Sequence, residues 1–280
     1  MSYRITSSLQ ISFATDLRLA EKSPATIEKY TRDVRTFSAY ANGREVDKQM
    51  VLDYKKSLLE RYTVASANSM LAAINAFFRF CGWHELTVKQ FRVQRDAFCS
   101  AQRELTRQEY VRLVSTAERQ GNERLALLLQ TICGTGIRVS ELSYITVEAV
   151  KCGEAQVNCK GKTRRIFIVP ELRKKLLAYI RKRDLKGGSV FRTRSGRPME
   201  RTCIWRAMKS LCSAAKVAST KVFPHNLRHL FARTFYSMQK DIVTLADLLG
   251  HASINTTRIY TVTTGETQAQ NEAHEIDSMS

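Results

Sequence analysis

Apolar side chains recur every three or four residues through the first ninety residues, and this spacing restricts the fold more than any other feature. Such a period places them on one stripe of an α-helix, which must be buried against another element. Ser23 before Pro24 adds an N-cap and first-turn signal to the clearest stripe, and further stripes begin at Leu9, Val51 and Ala67. We therefore predict a small four-helix unit. Its clearest stripe comprises Ile27, Tyr30, Val34, Phe37 and Ala41.

The helical stripe lapses after this unit, and the chain then changes character. We predict a helical domain over residues 1–88, a polar linker over 89–104, a second domain over 105–262 and a tail over 263–280. The tail carries four acidic residues and no Lys or Arg, so its charge opposes that of the body. Disorder and docking on a basic surface both remain open for it.

The second domain is predicted to be mainly helical with one small sheet. Thr106 and Glu109 have the spacing of a capping box, and an apolar helix over residues 125–133 precedes two glycines. Residues 155–170 alternate around a Lys-Gly-Lys-Thr turn, which indicates a β-hairpin. Helical pattern returns at residue 171. The predicted fold class is therefore mainly α, with a mixed α/β second domain.

The charge of the chain indicates the kind of partner. It carries 45 Lys and Arg against 26 Asp and Glu, a formal charge of +19, which favours a nucleic acid or an anionic membrane surface. No apolar run approaches the roughly 20 residues of a bilayer span, and the N-terminus lacks signal-peptide features. We expect a cytoplasmic protein. Seven scattered cysteines without a C-x-x-C pair indicate neither a disulfide framework nor a zinc ribbon.

The segment PHNLRHLFARTF is the first candidate site. On a helix starting near Pro224, His225, Arg228 and His229 project from one side. This pattern also suits a solvated basic helix end. Histidines four residues apart can bind zinc, but the Glu of H-E-x-x-H is missing and an arginine would lie beside the cation. We therefore expect no metal.

The segment LADLLGHASINTTRIY is the second candidate site. A helix is predicted to end at Gly250, with His251 directly after it, and a short helix near Ser253 is predicted to carry Tyr260. A lone tyrosine at such spacing is usually a core residue whose hydroxyl finds a partner. The surrounding motifs favour a chemical role instead.

Taken together, these motifs resemble those of the tyrosine recombinases and phage-type integrases, in their simple two-domain, Xer-like form. The resemblance implies a helical core-binding domain followed by a mostly helical catalytic domain with a small sheet. It covers nearly the whole chain, and its weaker part is the N-terminal domain. The matching segments are TGIRVSEL at 135–142, CKGK at 159–162, HNLRH at 225–229, LLGH at 248–251, and Tyr260.

The resemblance also implies the roles of five side chains. Arg138 and Arg228 are implied to bind the scissile phosphate, where two planar guanidinium groups match the charge that gathers on its oxygens. His251 is implied to donate to the same phosphate. His225 is implied to handle the tyrosine proton, as base or as donor. Tyr260 is implied to be the nucleophile that forms a 3'-phosphotyrosyl intermediate, and a phenol with a pKa of about 10 needs nearby bases or cations for this.

The proton for the leaving 5' hydroxyl is implied to come from a lysine of the hairpin. Lys160 aligns best, and Lys162 is a rival because a turn can shift register by two and keep side chains on one face. Glu141 is expected on the same helix face as Arg138, either orienting an arginine or forming a surface ion pair. His229 matches a position that is more often structural.

Basic residues lie opposite the apolar stripes of the first domain. Such faces are often only solvated, but on a chain of this charge we favour phosphate contacts, which position a protein on DNA without reading sequence. The residues are Lys29, Arg32, Arg35, Lys55, Lys56 and Arg61.

The resulting prediction is a site-specific DNA recombinase that requires neither metal nor ATP, with no cofactor. The resemblance implies a tetramer on two double-stranded DNA sites, with the tail on a neighbouring protomer and accessory proteins in some systems. Three different functions remain open besides this one: a type IB topoisomerase, a non-catalytic DNA-binding relative, and a metal-dependent nuclease using the three histidines at 225, 229 and 251.

Overall fold

The computed structural model divides the chain into two compact units, Met1–Arg95 and Asp96–Ser280. It describes residues 3–92, 103–159, 162–251, 253–257 and 260. None of the described helices is both long and apolar enough to span a membrane.

The N-terminal unit contains the four predicted helices. They are α1 (Ser7–Leu19), α2 (Pro24–Ala41), α3 (Lys48–Arg61) and α4 (Val64–Phe80). The Ser23 side chain accepts the backbone N–H of Thr26 at the start of α2, which confirms the predicted N-cap. In the core, the ring of Phe37 lies 4.9 Å from that of Tyr54 and 5.7 Å from that of Phe78, edge-on to both. The apolar stripes therefore meet in one buried aromatic cluster.

Two asparagines of α4 hold the chain that follows it. The Asn75 amide exchanges two hydrogen bonds with the backbone of Val88, at 2.8 and 2.9 Å. The Asn68 amide does the same with Phe91, at 2.9 and 2.8 Å. Residues 89–92, which belong to the predicted linker, therefore run along the N-terminal unit.

The C-terminal unit is organised around α6 (Glu123–Thr135), most of which is buried. α5 (Arg107–Arg119), α8 (Pro170–Lys182) and α10 (Pro224–Gln239) pack against it. The predicted capping box at the start of α5 is confirmed. The remaining labelled elements are α7 (Val147–Cys152), β1 (Glu154–Cys159), β2 (Lys162–Phe167), α9 (Arg201–Lys209), α11 (Ile242–Leu249) and α12 (Ile254–Thr257).

The predicted hairpin is confirmed as an antiparallel pair of β1 and β2. Ala155 lies opposite Ile166, and Val157 lies opposite Arg164. Because side chains alternate between the faces of a strand, Arg164 shares the buried face with these three apolar residues.

Two local expectations differ from the structure. Arg138 and Glu141 do not share an α-helix, because Val139–Tyr144 is a 3-10 helix and Arg138 is its extended N-cap residue. Gly134 lies inside α6, and the chain leaves the helix only at Gly136, which has a φ of 62°. The short helix predicted near Ser253 is present as α12, whose described residues are Ile254–Thr257, and the residues between it and Tyr260 lie outside the described part of the chain.

Candidate functional site

The turn that ends α6 determines the direction in which the Arg138 side chain points. Gly136 takes the left-handed conformation, and a Cβ there would lie 2.5 Å from the Phe231 ring, so only glycine fits this close approach. Buried Ile137 anchors the next residue. The Arg138 side chain then emerges 39% exposed, and its guanidinium donates to the Glu141 carboxylate at 3.0 Å and to the Gly250 carbonyl at 3.2 Å.

Arg228 lies on α10 and is only 2% exposed. Its guanidinium donates to the carbonyl of Gly136 and, at 2.6 Å, to the carbonyl of Leu249. It therefore joins the end of α6 to the end of α11. Burial, and then the positive charges of Arg138 and Arg164, lower the pKa of Arg228 to about 10.

His251 follows the glycine that ends α11, as predicted. Its Nε2 lies 3.3 Å from the Arg228 guanidinium, and its Nδ1 lies 2.9 Å from the Thr257 hydroxyl. A guanidinium can only donate, so Nε2 accepts, and the proton of the neutral ring sits on Nδ1 and is donated to Thr257. Sequence reasoning missed Thr257, although it lies within the motif that contains Tyr260.

Tyr260 is 5% exposed and packs with Leu245, Leu249 and Ala232. Its ring is edge-on to that of His229, with centroids 4.9 Å apart, and roughly parallel to that of His251 at 6.2 Å. The fold therefore brings Tyr260 beside the histidines of two separate motifs.

The two histidines of α10 differ in exposure. The His225 side chain is the more exposed of the two but is partly covered by its neighbours, and its ring lies 4.3 Å from that of His229. Burial, with Arg228 and Arg138, lowers the pKa of His225. Burial, with the neighbouring His225 and Arg228, lowers the pKa of His229 to about 4. A neutral His225 can accept a proton, which suits a base.

The pKa of His251 is lowered to about 4, first by burial and then by Arg228 and Arg138. Glu141 behaves differently: burial alone would raise its pKa, but the Arg138 N–H and the charge of Arg164 outweigh burial and lower it. Among the described residues the pocket therefore combines three guanidinium groups with one ionised carboxylate. Such an excess of partly buried positive charge suits an anion with several oxygens.

Arg164 is a site residue that sequence reasoning missed. Its guanidinium bonds the Glu141 carboxylate and the Leu248 carbonyl. The signal was present, because Arg164 precedes Ile166 and Ile168 by two and four residues on the inward face of the hairpin. An arginine in that alternation indicates a buried ionic partner.

The hairpin lysines remain predictions. Lys160 lies outside the described residues, and Lys162 is the first residue of β2. Among the described residues, no three His, Cys, Asp or Glu side chains are placed to hold a metal ion.

Three of the basic residues predicted to contact DNA also make contacts within the N-terminal unit, and one of them, Arg32, bonds the Asp33 carboxylate at 3.3 Å while its side chain stays 68% exposed. The Lys29 ammonium bonds the buried Asp33 carboxylate at 2.6 Å and the Ser69 carbonyl at 2.9 Å. The Lys55 ammonium lies 4.7 Å from the centre of the Phe91 ring. Both lysines therefore stabilise the unit itself, and Lys29 has the more complete set of internal partners.

Four basic residues of that set are exposed: Arg32, Arg35, Lys56 and Arg61. Arg35 lines a surface cavity of about 560 Å³ between α1 and α2. Sequence reasoning missed two further basic residues on this cavity, Arg18 and Lys22.

Two protein-family models match the chain. Residues 103–266 match the phage integrase family, and residues 11–85 match the phage integrase N-terminal SAM-like domain. The candidate site lies wholly within the first match.

Named relatives match nearly the full length. Tyrosine recombinase XerA of Pyrococcus furiosus is 30% identical over 265 residues, which cover 91% of this chain and 89% of the relative. Tyrosine recombinase XerA of Thermococcus kodakarensis is 31% identical over 280 residues, which cover 95% of each.

Solved structures share the fold. A lambda integrase dimer bound to a COC' core site matches with a TM-score of 0.74 at 17% identity, covering 92% of this chain and 77% of that one. XerH recombinase in a pre-cleavage complex with its difH substrate matches with a TM-score of 0.70 at 19% identity, covering 95% and 84%.

Proposed function

The chain belongs to the phage integrase family and is a tyrosine recombinase, and we propose that Tyr260 is the nucleophile with which it breaks and rejoins DNA. The observation that carries this proposal is the convergence of Arg138, Arg228 and His251 at the end of α11, beside the Tyr260 ring. An arginine pair, an imidazole and a phenol form a phosphoryl-transfer site that needs no metal.

In the proposed reaction, the Tyr260 hydroxyl attacks the scissile phosphorus. The bond from the phenolic oxygen to phosphorus forms as the bond to the 5' oxygen breaks, which leaves a 3'-phosphotyrosyl enzyme and a free 5' hydroxyl. Neutral His225 accepts the phenolic proton. Lys160, or its rival Lys162, donates a proton to the leaving oxygen. The reverse attack by a 5' hydroxyl rejoins the strand, so the bond energy is retained.

Arg138 and Arg228 bind the non-bridging oxygens of the phosphate, and His251 donates to one of them. Removing one such donor from a preorganised site typically lowers the rate by about 100- to 1,000-fold. Glu141 orients Arg138, because its carboxylate also accepts the Arg138 backbone N–H at 3.0 Å. His229 supports the Tyr260 ring.

The partner is double-stranded DNA, bound by a core-binding domain over residues 1–88 and a catalytic domain over 105–262, with a linker at 89–104. The six basic residues named for the N-terminal unit contact the DNA backbone, and the exposed ones contribute most. Four protomers assemble on two sites, with tail 263–280 on a neighbouring protomer. The assembly can accept accessory proteins, and the protein acts in the cytoplasm or nucleoid.

A nicked suicide DNA substrate tests the proposal, because the short fragment that carries the free 5' hydroxyl diffuses away and the covalent intermediate is trapped. Wild type should become attached in EDTA, and Tyr260→Phe should not. Attachment of Tyr260→Phe at the wild-type level would exclude Tyr260 as nucleophile. A requirement for divalent metal would instead indicate a metal-dependent nuclease.

Two more assays distinguish a recombinase from a topoisomerase and from a DNA-binding protein without catalytic activity. Relaxation of a supercoiled plasmid that lacks any recombination site would favour a type IB topoisomerase. Undiminished biological activity of both Arg138→Ala and Tyr260→Phe would favour a non-catalytic DNA-binding protein.

A further inference from the structure

Arg164 joins two segments that hold different parts of the phosphate site. It starts on β2, and its side chain is 12% exposed. One amino group of its guanidinium bonds the Glu141 carboxylate, and the second bonds the Leu248 carbonyl in the last turn of α11. The adjacent Arg165 points the opposite way and is 67% exposed. The Arg164 guanidinium therefore connects Glu141 to the end of α11, whereas the Arg165 guanidinium does not.

Each partner of Arg164 contacts a proposed phosphate-binding residue or lies close to one in the chain. Glu141 accepts both the backbone N–H and the guanidinium of Arg138. Leu248 lies two residues before Gly250 and three before His251. The Gly250 carbonyl accepts a hydrogen bond from the Arg138 guanidinium. A shift of Arg164 would thus move the Glu141 side and the α11 side of the site relative to each other.

The approach of Arg164 to Gly250 is close. A Cβ on Gly250 would lie 2.5 Å from the Arg164 Cδ and 3.0 Å from its Nε. The buried Nε finds no hydrogen-bond partner among the described residues. A buried N–H without a partner costs free energy. The close packing against Gly250 therefore holds the guanidinium in a position where its Nε–H makes no hydrogen bond. The glycine is required here by the arginine as well as by its own left-handed φ of 62°.

We propose that Arg164 is a positioning residue that sets the placement of Arg138 and His251 around the scissile phosphate. The inference rests on the proposed function and adds a member of the hairpin to the phosphate site. It also means that β2, which follows Lys160 and begins at Lys162, is held by hydrogen bonds to the segments that carry the phosphate-binding groups. Arg164 acts through its bonds to the Glu141 carboxylate and the Leu248 carbonyl.

Arg164→Lys tests the inference without removing the charge. A lysine is a single compact donor and cannot bond Glu141 and Leu248 together in the fixed geometry of a guanidinium. Misplacement of a reacting group by about 1 Å can cost about 100-fold in rate. We therefore expect Arg164→Lys to slow single-turnover attachment to suicide DNA by about 100-fold. Arg165→Lys, on the exposed face of the same strand, should react like wild type.

A substrate series separates positioning from a loss of folded protein. The scissile phosphate is prepared as each of its two phosphorothioate diastereomers, in which one or the other non-bridging oxygen is sulfur. Displaced donors affect these oxygens unequally, so the ratio of the two rates should change in Arg164→Lys by about tenfold. A smaller fraction of active protein would lower both rates equally and leave the ratio unchanged.

The outcomes are distinct. If wild type forms no covalent adduct, the proposed function fails. If wild type reacts, Tyr260→Phe does not, and Arg164→Lys keeps the wild-type ratio, only the role of Arg164 is overturned. A changed ratio in Arg164→Lys with an unchanged ratio in Arg165→Lys supports it.

Discussion

Replacement of Thr257 by valine tests how His251 is prepared to donate to a phosphate. In the free protein the Thr257 hydroxyl accepts from Nδ1 of His251, and Nε2 accepts from Arg228. To donate to a phosphate through Nε2, the imidazole must carry a proton there. A hydroxyl can both donate and accept, so Thr257 can bond Nδ1 before and after this change. Valine can do neither.

The size of the effect follows from the burial of Thr257, which is complete. Valine nearly preserves the volume but leaves one imidazole nitrogen without its partner. An unsatisfied buried polar group costs about 1–3 kcal/mol. If this cost falls on the transition state, cleavage slows by about 5- to 150-fold. Thr257→Ser retains the hydroxyl and should keep most of the rate.

The measurement is single-turnover attachment to the suicide substrate, with DNA affinity determined separately. Thr257→Val should lower the rate of attachment and leave DNA affinity unchanged, since Thr257 does not face solvent. Wild-type cleavage by Thr257→Val, or equal losses in the valine and serine variants, would refute the argument from the hydroxyl.

Three further predictions concern stability. Gly136→Ala should lower the free energy of unfolding of the C-terminal unit by about 2–4 kcal/mol, because alanine meets the Phe231 ring and a positive φ; calorimetry measures this, and an unchanged Tm would contradict it. The free energy of unfolding should fall as the pH drops from 6.5 towards about 4, because His229 and His251 bind protons more readily when unfolded; urea titrations at several pH values check this, and His229→Asn should flatten the dependence. Asn75→Leu should destabilise the N-terminal unit by about 2–4 kcal/mol, because both of its backbone hydrogen bonds are buried; a melting curve at wild-type position would contradict this.

Elements that depend on neighbouring residues could be predicted from the amino-acid sequence. The helix start at Ser23, the capping box at Thr106 and the hairpin predicted within residues 155–170 all follow from local hydrogen bonding and periodicity, which act over a few residues. The motif spacing likewise identified Arg138, Arg228, His251 and Tyr260 as one set, because a family resemblance needs only their order along the chain.

The hydrogen bonds that hold these groups could not be predicted, because they join segments that are far apart in the chain. The Arg228 guanidinium donates to the carbonyls of both Gly136 and Leu249. The Arg138 guanidinium donates to the carbonyl of Gly250, which is 112 positions further along the chain. Arg164 and Thr257 were not predicted as site residues, because their hydrogen-bond partners are determined by the packing of distant segments. Exposure is also a tertiary property. Lys29 and Arg32 both bond the buried Asp33 carboxylate, but Lys29 also bonds the Ser69 carbonyl and is 31% exposed, whereas the Arg32 side chain is 68% exposed. Contacts between distant segments depend on the whole packed core, which no local pattern specifies.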